Sequence, residues 1–426
     1  MNQTVTLASG VQGLYIPSAR FKTTRISVSF FLPLERETIS ANTLLPAMLT
    51  TSSAEYPDYR SLQTRLSGLY GASLGTSSGK VGDAQILTLT LTALDDRFVP
   101  EGKIAADCAA LLAGMIFRPN LDENGRFKQS DLDREKRLLL ETIESELNDK
   151  RLYALNRAEA VLFENEVYGL PQYGTAEGAA ALTCDDLLAA WRRALEEAQV
   201  RVTVVSSCSP DDIFAVFGDA FSARERRPAA LRVFGALAPV SAPRRVVEEM
   251  EVAQGKLVMA FHTGVTGSVL ETAAFSVMCD LFGGGPYSRL FTNVREKLSL
   301  CYYCAARSNR FKGILLVDSG VEKQNAAAAE REILAQLAVM QEGGFDDSEL
   351  AASILSKSDR IRSMFDSQRE TESFYISQIF DDRPCTAEEL LAAVSAVTRE
   401  DVVKAARSVK PALTYLLSPK EAADHE

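Results

Sequence analysis

Only two of the 426 residues are histidines, His262 and His425, which bounds the chemistry the chain can do. A helical zinc site built on two imidazoles four residues apart has no material here. A Ser–His–Asp or Cys–His constellation is equally short of its base. His262 sits in an apolar stretch and reads as a core or wall residue, and His425 lies in an acidic tail. Seven cysteines (108, 184, 208, 279, 301, 304 and 385) form an odd, dispersed set that fits reduced thiols better than a disulfide framework. Cys301-Tyr-Tyr-Cys304 has the spacing of a zinc or redox pair, but no second pair lies nearby. In a regular strand residues i and i+3 face opposite ways, so a shared metal or disulfide is not expected. Gly283-Gly-Gly-Pro286 could expose N–H groups to a phosphate; without a nucleotide-site context it reads as a turn that lets two backbones approach.

The elements that must position such residues are legible by period. Arg25–Leu34 is rich in Val, Ile and Phe and predicts a strand, and Gln85–Leu94 alternates Leu with Thr, which predicts an antiparallel strand with leucines on one face. Thr43–Thr50 and Tyr59–Leu69 read as helices. Asp131–Lys150 sets Leu132, Leu139, Ile143 and Leu147 along one helical side. Thr183–Glu197 opens with a good helix start and leads into a strand at Val200–Val205. The second half repeats the order: strand Lys256–Phe261, helices Glu271–Phe282 and Ser288–Leu298, strands Leu300–Ala306 and Gly313–Gly320, helix Asn325–Gln341 and strand Leu413–Leu417. Thr183-Cys-Asp-Asp matches Thr398-Arg-Glu-Asp, and the offset of 398 − 183 = 215 is about half the chain. Strands with helices grouped between them predict an α+β duplication: two tandem homologous domains, each a mostly antiparallel sheet covered on one face by helices. Ala223–Pro243, with a basic cluster and three prolines, has the composition of an exposed connector whose arginines solvate a hinge. The expected division is domain 1–225, linker 226–247 and domain 248–426.

Composition narrows the partners. With 46% hydrophobic and 24% charged residues the chain is an ordinary globular protein with ample core. Lys+Arg at 46 against Asp+Glu at 57 gives a net charge of −11, with no general field for a phosphate backbone, so neither nucleic acid nor a membrane is an expected partner. No apolar run approaches the ~18 residues of a membrane span, and residues 1–22 carry no basic stretch followed by an apolar one. A cytoplasmic location is the expectation.

Ser288-Arg-Leu-Phe, Arg295-Glu-Lys and Leu300-Cys-Tyr302, preceded by the glycines at 283–285, together with the two-half layout, resemble the insulinase or pitrilysin superfamily in its processing-peptidase-like branch. The likeness in element order spans nearly the whole chain. It implies a metallopeptidase-like duplication, and it implies that Arg295 and Tyr302 reach an active chamber and hold substrate backbone. The chemistry is reasonable: a guanidinium offers a rigid fork of donors to carbonyl oxygens, and a phenol can donate to an oxygen that turns negative during peptide-bond attack. The plainer alternative is a solvated Arg295 paired with Glu296 and a half-buried strand Tyr302.

Enzymes of that family hold zinc through an inverted His-x-x-Glu-His on the helix after the first strand, and a more distant glutamate is the third ligand. By position Thr43, Pro46 and Ala47 stand where His, Glu and His would be. None can ligate zinc strongly or act as the base on zinc-bound water. Glu135, Glu141 and Glu144 are candidates for the third-ligand position, or else a solvated helix face. Tyr70–Thr76 and the following strand correspond to the family's sheet edge, which pairs with extended substrate, or form a simple hairpin. Retaining one half of the machinery without the other resembles a zinc-less subunit of a heterodimeric processing peptidase. It also resembles a bacterial subgroup in which some members are labelled as associated with elongation factor P modification; that label gives context rather than activity. The implied function is a pseudoenzyme that binds a zinc-bearing homologous peptidase subunit, forms half the peptide chamber and supplies Arg295 and Tyr302 to the peptide substrate. It needs no cofactor of its own, zinc being expected only in the partner. The alternative is a non-enzymatic peptide-binding or scaffold protein acting as a homodimer.

Overall fold

The computed structural model describes residues 2–100 and 104–420; His425 lies outside the described residues. The chain forms two compact units. Unit 1 takes in the described residues of 1–144, 170–232 and 368–372, and unit 2 those of 145–169, 233–367 and 373–426.

Unit 1 is built on a six-stranded sheet in the order β1 (Gln3–Ala8), β2 (Val11–Pro17), β6 (Gln199–Ser206), β3 (Thr23–Pro33), β5 (Ala84–Leu94) and β4 (Ser73–Val81). Every neighbouring pair is antiparallel except β2 with β6. The Leu/Thr alternation of β5 does what its period dictates. Leu87, Leu89 and Leu91 join Ile26, Val28, Phe30 and Leu32 of β3 in one core, where each fully buried aliphatic side chain contributes about 1.5–3 kcal/mol. On the opposite face Ser27 meets Thr90 and Ser29 meets Thr88 through their hydroxyls. Helices α1 (Ile39–Thr51), α3 (Ala105–Phe117), α7 (Cys184–Glu197) and α8 (Asp211–Ser222) fill the core side. Thr183 and Asp186 form the capping box that starts α7. In α4 (Gln129–Asn148) Leu132 and Leu139 are buried and Ile143 packs against the core, whereas Leu147, expected on the same stripe, is exposed.

Unit 2 repeats the plan with a five-stranded sheet, β7 (Arg244–Met250), β11 (Lys410–Pro419), β8 (Gly255–His262), β10 (Ile314–Val321) and β9 (Cys301–Asn309), in which β7 and β11 are the parallel pair. The order matches β2-β6-β3-β5-β4 strand for strand, so the duplication extends to topology, and β1 is an added edge. Thr398 and Asp401 form the equivalent capping box on α14 (Arg399–Ser408).

Both faces of this second sheet are covered. Leu257, Met259, Phe261, Leu315 and Val317 pack under α9 (Ala273–Gly283), α10 (Ala326–Gln341) and α14. Val258, Ala260, Leu316, Tyr415 and Leu417 pack against Ala154, Leu155 and Ala158 of α5 (Lys150–Leu162), a helix of the first half of the chain that belongs to unit 2. Burial on both faces explains why β8, β10 and β11 read as continuous apolar runs. Residues 225–240 are without regular structure, but they are not the freely exposed connector that their composition predicts. Arg226 is buried and donates to the carbonyls of Ser9 and Ala198 rather than solvating a hinge, and Val233 and Leu237 are buried. Among the described residues, no helix is long and apolar enough to cross a membrane.

Candidate functional site

The positions of the degenerate zinc motif lie on α1, between the sheet and α7, and each is occupied by something other than a ligand. Thr43 is buried. Its hydroxyl accepts from Gln85 Nε2 at 3.1 Å, the same nitrogen donates to the Ile39 carbonyl at 3.1 Å, and Asn42 Nδ2 donates to Gln85 Oε1 at 3.0 Å. Pro46, inside the helix, lines a small apolar cavity with Phe30, Leu87, Leu89 and Trp191, and as a proline it offers neither a base nor a ligand. Ala47 adds only a methyl group. Of the three candidate acids, Glu135 receives a 3.4 Å bond from Thr51, Glu141 lies 3.7 Å from Arg137 on an exposed turn, and Glu144 is exposed. No group of three or more His, Cys, Asp or Glu side chains placed to hold a metal occurs among the described residues.

Beside α1 runs a cleft of about 1090 Å³. Its walls are the end of α1 (Thr50, Thr51), α2 (Tyr59–Gly68), the start of α4 (Asp131, Glu135) and Ser73–Thr76 of β4. Because β4 ends the sheet, its outer N–H and C=O groups have no strand partner, and the cleft follows that edge.

In unit 2 the corresponding edge strand is β9, and the structure brings the two other sequence-predicted residues together there. Arg295 and Tyr302 line one surface cavity of about 380 Å³ with Glu296, Ser299, Leu300, Cys301, Glu322 and Asn325. Arg295 is carried not on an ordinary α-helix, as Ser288–Leu298 predicts, but on a π-helix, Leu290–Lys297. That wide turn is rare and is found frequently at functional sites. It buries Leu290 and Val294 while Arg295, with a side chain 39% exposed, rests over the Phe291 ring (4.5 Å to the centroid) and 3.5 Å from Glu296. Ser299, in the left-handed region at φ 50°, ends the π-helix and turns the chain into β9. Gly283 ends α9 where a Cβ would come within 2.6 Å of the Ala306 amide nitrogen, so the glycine turn serves close approach of helix and strand.

Tyr302 is not half-buried but 63% exposed, and the reason is a β-bulge. Along β10, Gly320 pairs with Tyr303 and the next residue, Val321, with Cys301, which leaves Tyr302 as the extra residue pushed outward. The bulge also corrects the expectation for the cysteines: Cys301 and Cys304 lie on the same face, in one core cluster. The neighbouring Cys304 thiol, outweighing burial, and then Ser319 and the Arg295 charge lower the Cys301 thiol below its ordinary value, while the Cys301 thiol and burial push Cys304 well up. His262 is half-buried at the end of β8, away from the residues lining this cavity.

Residues 181–356 match the family described as "Peptidase M16 inactive domain". The chain is 28% identical over 424 residues, 99% of each protein, to the "Probable inactive metalloprotease YmfF" of Bacillus subtilis. Its fold superposes on a conserved protein from Enterococcus faecalis with a TM-score of 0.91 at 29% identity, covering 99% and 100% of the two chains. It also superposes on a peptidase M16 inactive domain from Pseudomonas fluorescens with a TM-score of 0.77 at 18% identity, covering 99% of each.

Proposed function

We propose that this chain, which is similar to proteins described as inactive M16 peptidases, is the non-catalytic subunit of a two-chain zinc peptidase. The observation that carries the proposal is the contrast between its two units. The motif positions on α1 are closed by packing and amide hydrogen bonds, whereas Arg295 and Tyr302 stand open around a common cavity with few bonds of their own. In this reading a homologue bearing His-x-x-Glu-His supplies the zinc and the base. This chain supplies half of the peptide chamber, where the Arg295 guanidinium grips a carbonyl and the Tyr302 phenol donates to the oxygen on which charge develops. The chain itself holds no cofactor, and the pair works on peptides in the cytoplasm.

The test is reconstitution. Co-expression with a zinc-motif homologue is expected to give a one-to-one complex that hydrolyses peptides, while the purified chain alone is inert and binds no stoichiometric zinc. Metal-dependent cleavage by the lone chain overturns the proposal. A stable homodimer that ignores the homologue but binds extended peptide replaces it with the scaffold reading.

A further inference from the structure

The Cys301–Cys304 pair has no part in peptide grip, and its geometry is not that of two unrelated core thiols. Because the bulge removes one residue from the ladder, Cys301 and Cys304 stand opposite Val321 and Ser319, which are two residues apart. At a rise of roughly 3.3 Å per residue this sets the two Cα atoms about 6.6 Å apart. That distance falls at the upper end of the roughly 4.4–6.8 Å that disulfides span. In a regular strand the same sequence spacing would give about 10 Å on opposite faces. The strand is also an edge strand, bonded only to β10, so the bulge can tighten without breaking a second ladder. Both cysteines are buried, but they differ in position: Cys301 is among the residues lining the surface cavity beside Arg295, whereas Cys304 is not. A thiol at a cavity wall beside a guanidinium, with a second thiol behind it on the same face of the strand, is an attacking and resolving arrangement.

We propose that Cys301 and Cys304 form a thiol–disulfide exchange site that accepts small disulfides through the Arg295–Tyr302 cavity. The Cys301 thiolate attacks one sulfur of a low-molecular-weight disulfide, forming a mixed disulfide and expelling one small thiolate. Cys304 then loses its proton, attacks the Cys301 sulfur and expels the second. Two protein thiols are oxidised to one disulfide, and the small disulfide is reduced to two thiols that carry away both protons. Tyr302, the bulged residue between them, is drawn with the tightened backbone, so the redox state of the pair sets its reach. That last consequence rests on the functional reading above; the exchange chemistry does not.

The experiment uses the full chain, reduced and then incubated anaerobically with oxidised glutathione, and reads intact mass and a peptide map. Wild type is expected to lose two hydrogens with a Cys301–Cys304 cross-link as the main product, and dithiothreitol reverses it. Cys304→Ser accumulates a glutathione adduct on Cys301, and Cys301→Ser gives neither adduct nor cross-link at this pair. A wild-type chain that stays reduced at both residues, or a Cys304→Ser chain left unmodified at Cys301, overturns the assignment. The wild-type map needs no variant to fold, and an exchange-competent pair in a chain that fails reconstitution separates this inference from the peptidase reading.

Discussion

Removing Arg295 or the Tyr302 hydroxyl should separate function from stability. In the isolated chain Arg295 has an exposed contact with Glu296 at 3.5 Å and a cation–π contact with Phe291 at 4.5 Å. Exposed ion pairs contribute about 0–1 kcal/mol and exposed cation–π contacts about 0.5–1 kcal/mol, so Arg295→Ala should cost about 1 kcal/mol of folding stability. Tyr302→Phe removes an exposed hydroxyl and should cost close to nothing. In the reconstituted pair the same guanidinium, covered by substrate, would make a charge-assisted hydrogen bond of about 1.5–3 kcal/mol. At about 1.36 kcal/mol per tenfold this is roughly a 10- to 150-fold loss in kcat/KM, falling mostly on KM because the carbonyl is gripped before and during reaction. The Tyr302 phenol meets charge only in the transition state, so its loss should lower kcat, by roughly 10²–10³ if it is a principal oxyanion donor. Steady-state kinetics of the pair, with urea unfolding of each lone variant, reads both effects. Kinetics within twofold of wild type for either variant would refute the placement. So would an Arg295→Ala chain destabilised by about 3 kcal/mol or more, since the loss of activity would then be structural.

Two further predictions concern what holds unit 1. Asp95 is fully buried; burial alone would raise its pKa, but the amides of Arg97 and Ser207, the Ser207 hydroxyl and the Arg97 guanidinium together bring it down to about 2 from 3.8. A shift of nearly two units is worth about 2.5 kcal/mol. Because the folded value is the lower one, that stability is fully present above pH ~4 and is lost as pH falls towards 2. Asp95→Asn should therefore be less stable by about that amount at pH 7 and converge on wild type in acid; urea melts showing a constant difference from pH 7 to pH 3 would contradict the assignment. Gln85→Ala removes three buried hydrogen bonds around Thr43. It should cost about 2–4 kcal/mol, since Asn42 Nδ2 keeps only a 3.5 Å contact with Thr38 and the buried Thr43 hydroxyl loses its donor; a loss below about 1 kcal/mol would mean that the network is not what closes the motif position.

Much of this architecture is legible before any coordinates because its elements have contrast. The Leu/Thr alternation of β5 separates an apolar core from a hydroxyl ladder, and Thr183 and Thr398 announce two helices through the same capping chemistry. Ala105–Phe117 lacks that contrast: α3 is Ala- and Leu-rich with little polar face, so no 3.6-residue stripe stands out. The edge hairpin of β1 and β2 has the opposite difficulty, since β1 is largely exposed and its alternation marks no core. The apolar residues of α5 have their partners more than a hundred positions away in β10 and β11, which local periodicity cannot register.

The site divides along the same line. Residue type alone decides the empty half, because two histidines cannot furnish the missing pair wherever the helix falls in register. The occupied half depends on two backbone irregularities, the π-helix that lifts Arg295 and the bulge that expels Tyr302, and neither has a signature in composition or period. Both irregularities lie within a dozen residues of each other, on an edge strand and the helix that feeds it. A plain α-helix leading into a regular strand would change the facing of Arg295, leave Tyr302 half-buried and set Cys301 opposite Cys304. Irregular backbone concentrated where the sequence places a guanidinium, a phenol and two thiols is the pattern that functional sites often show, which is why the predictions above are aimed there.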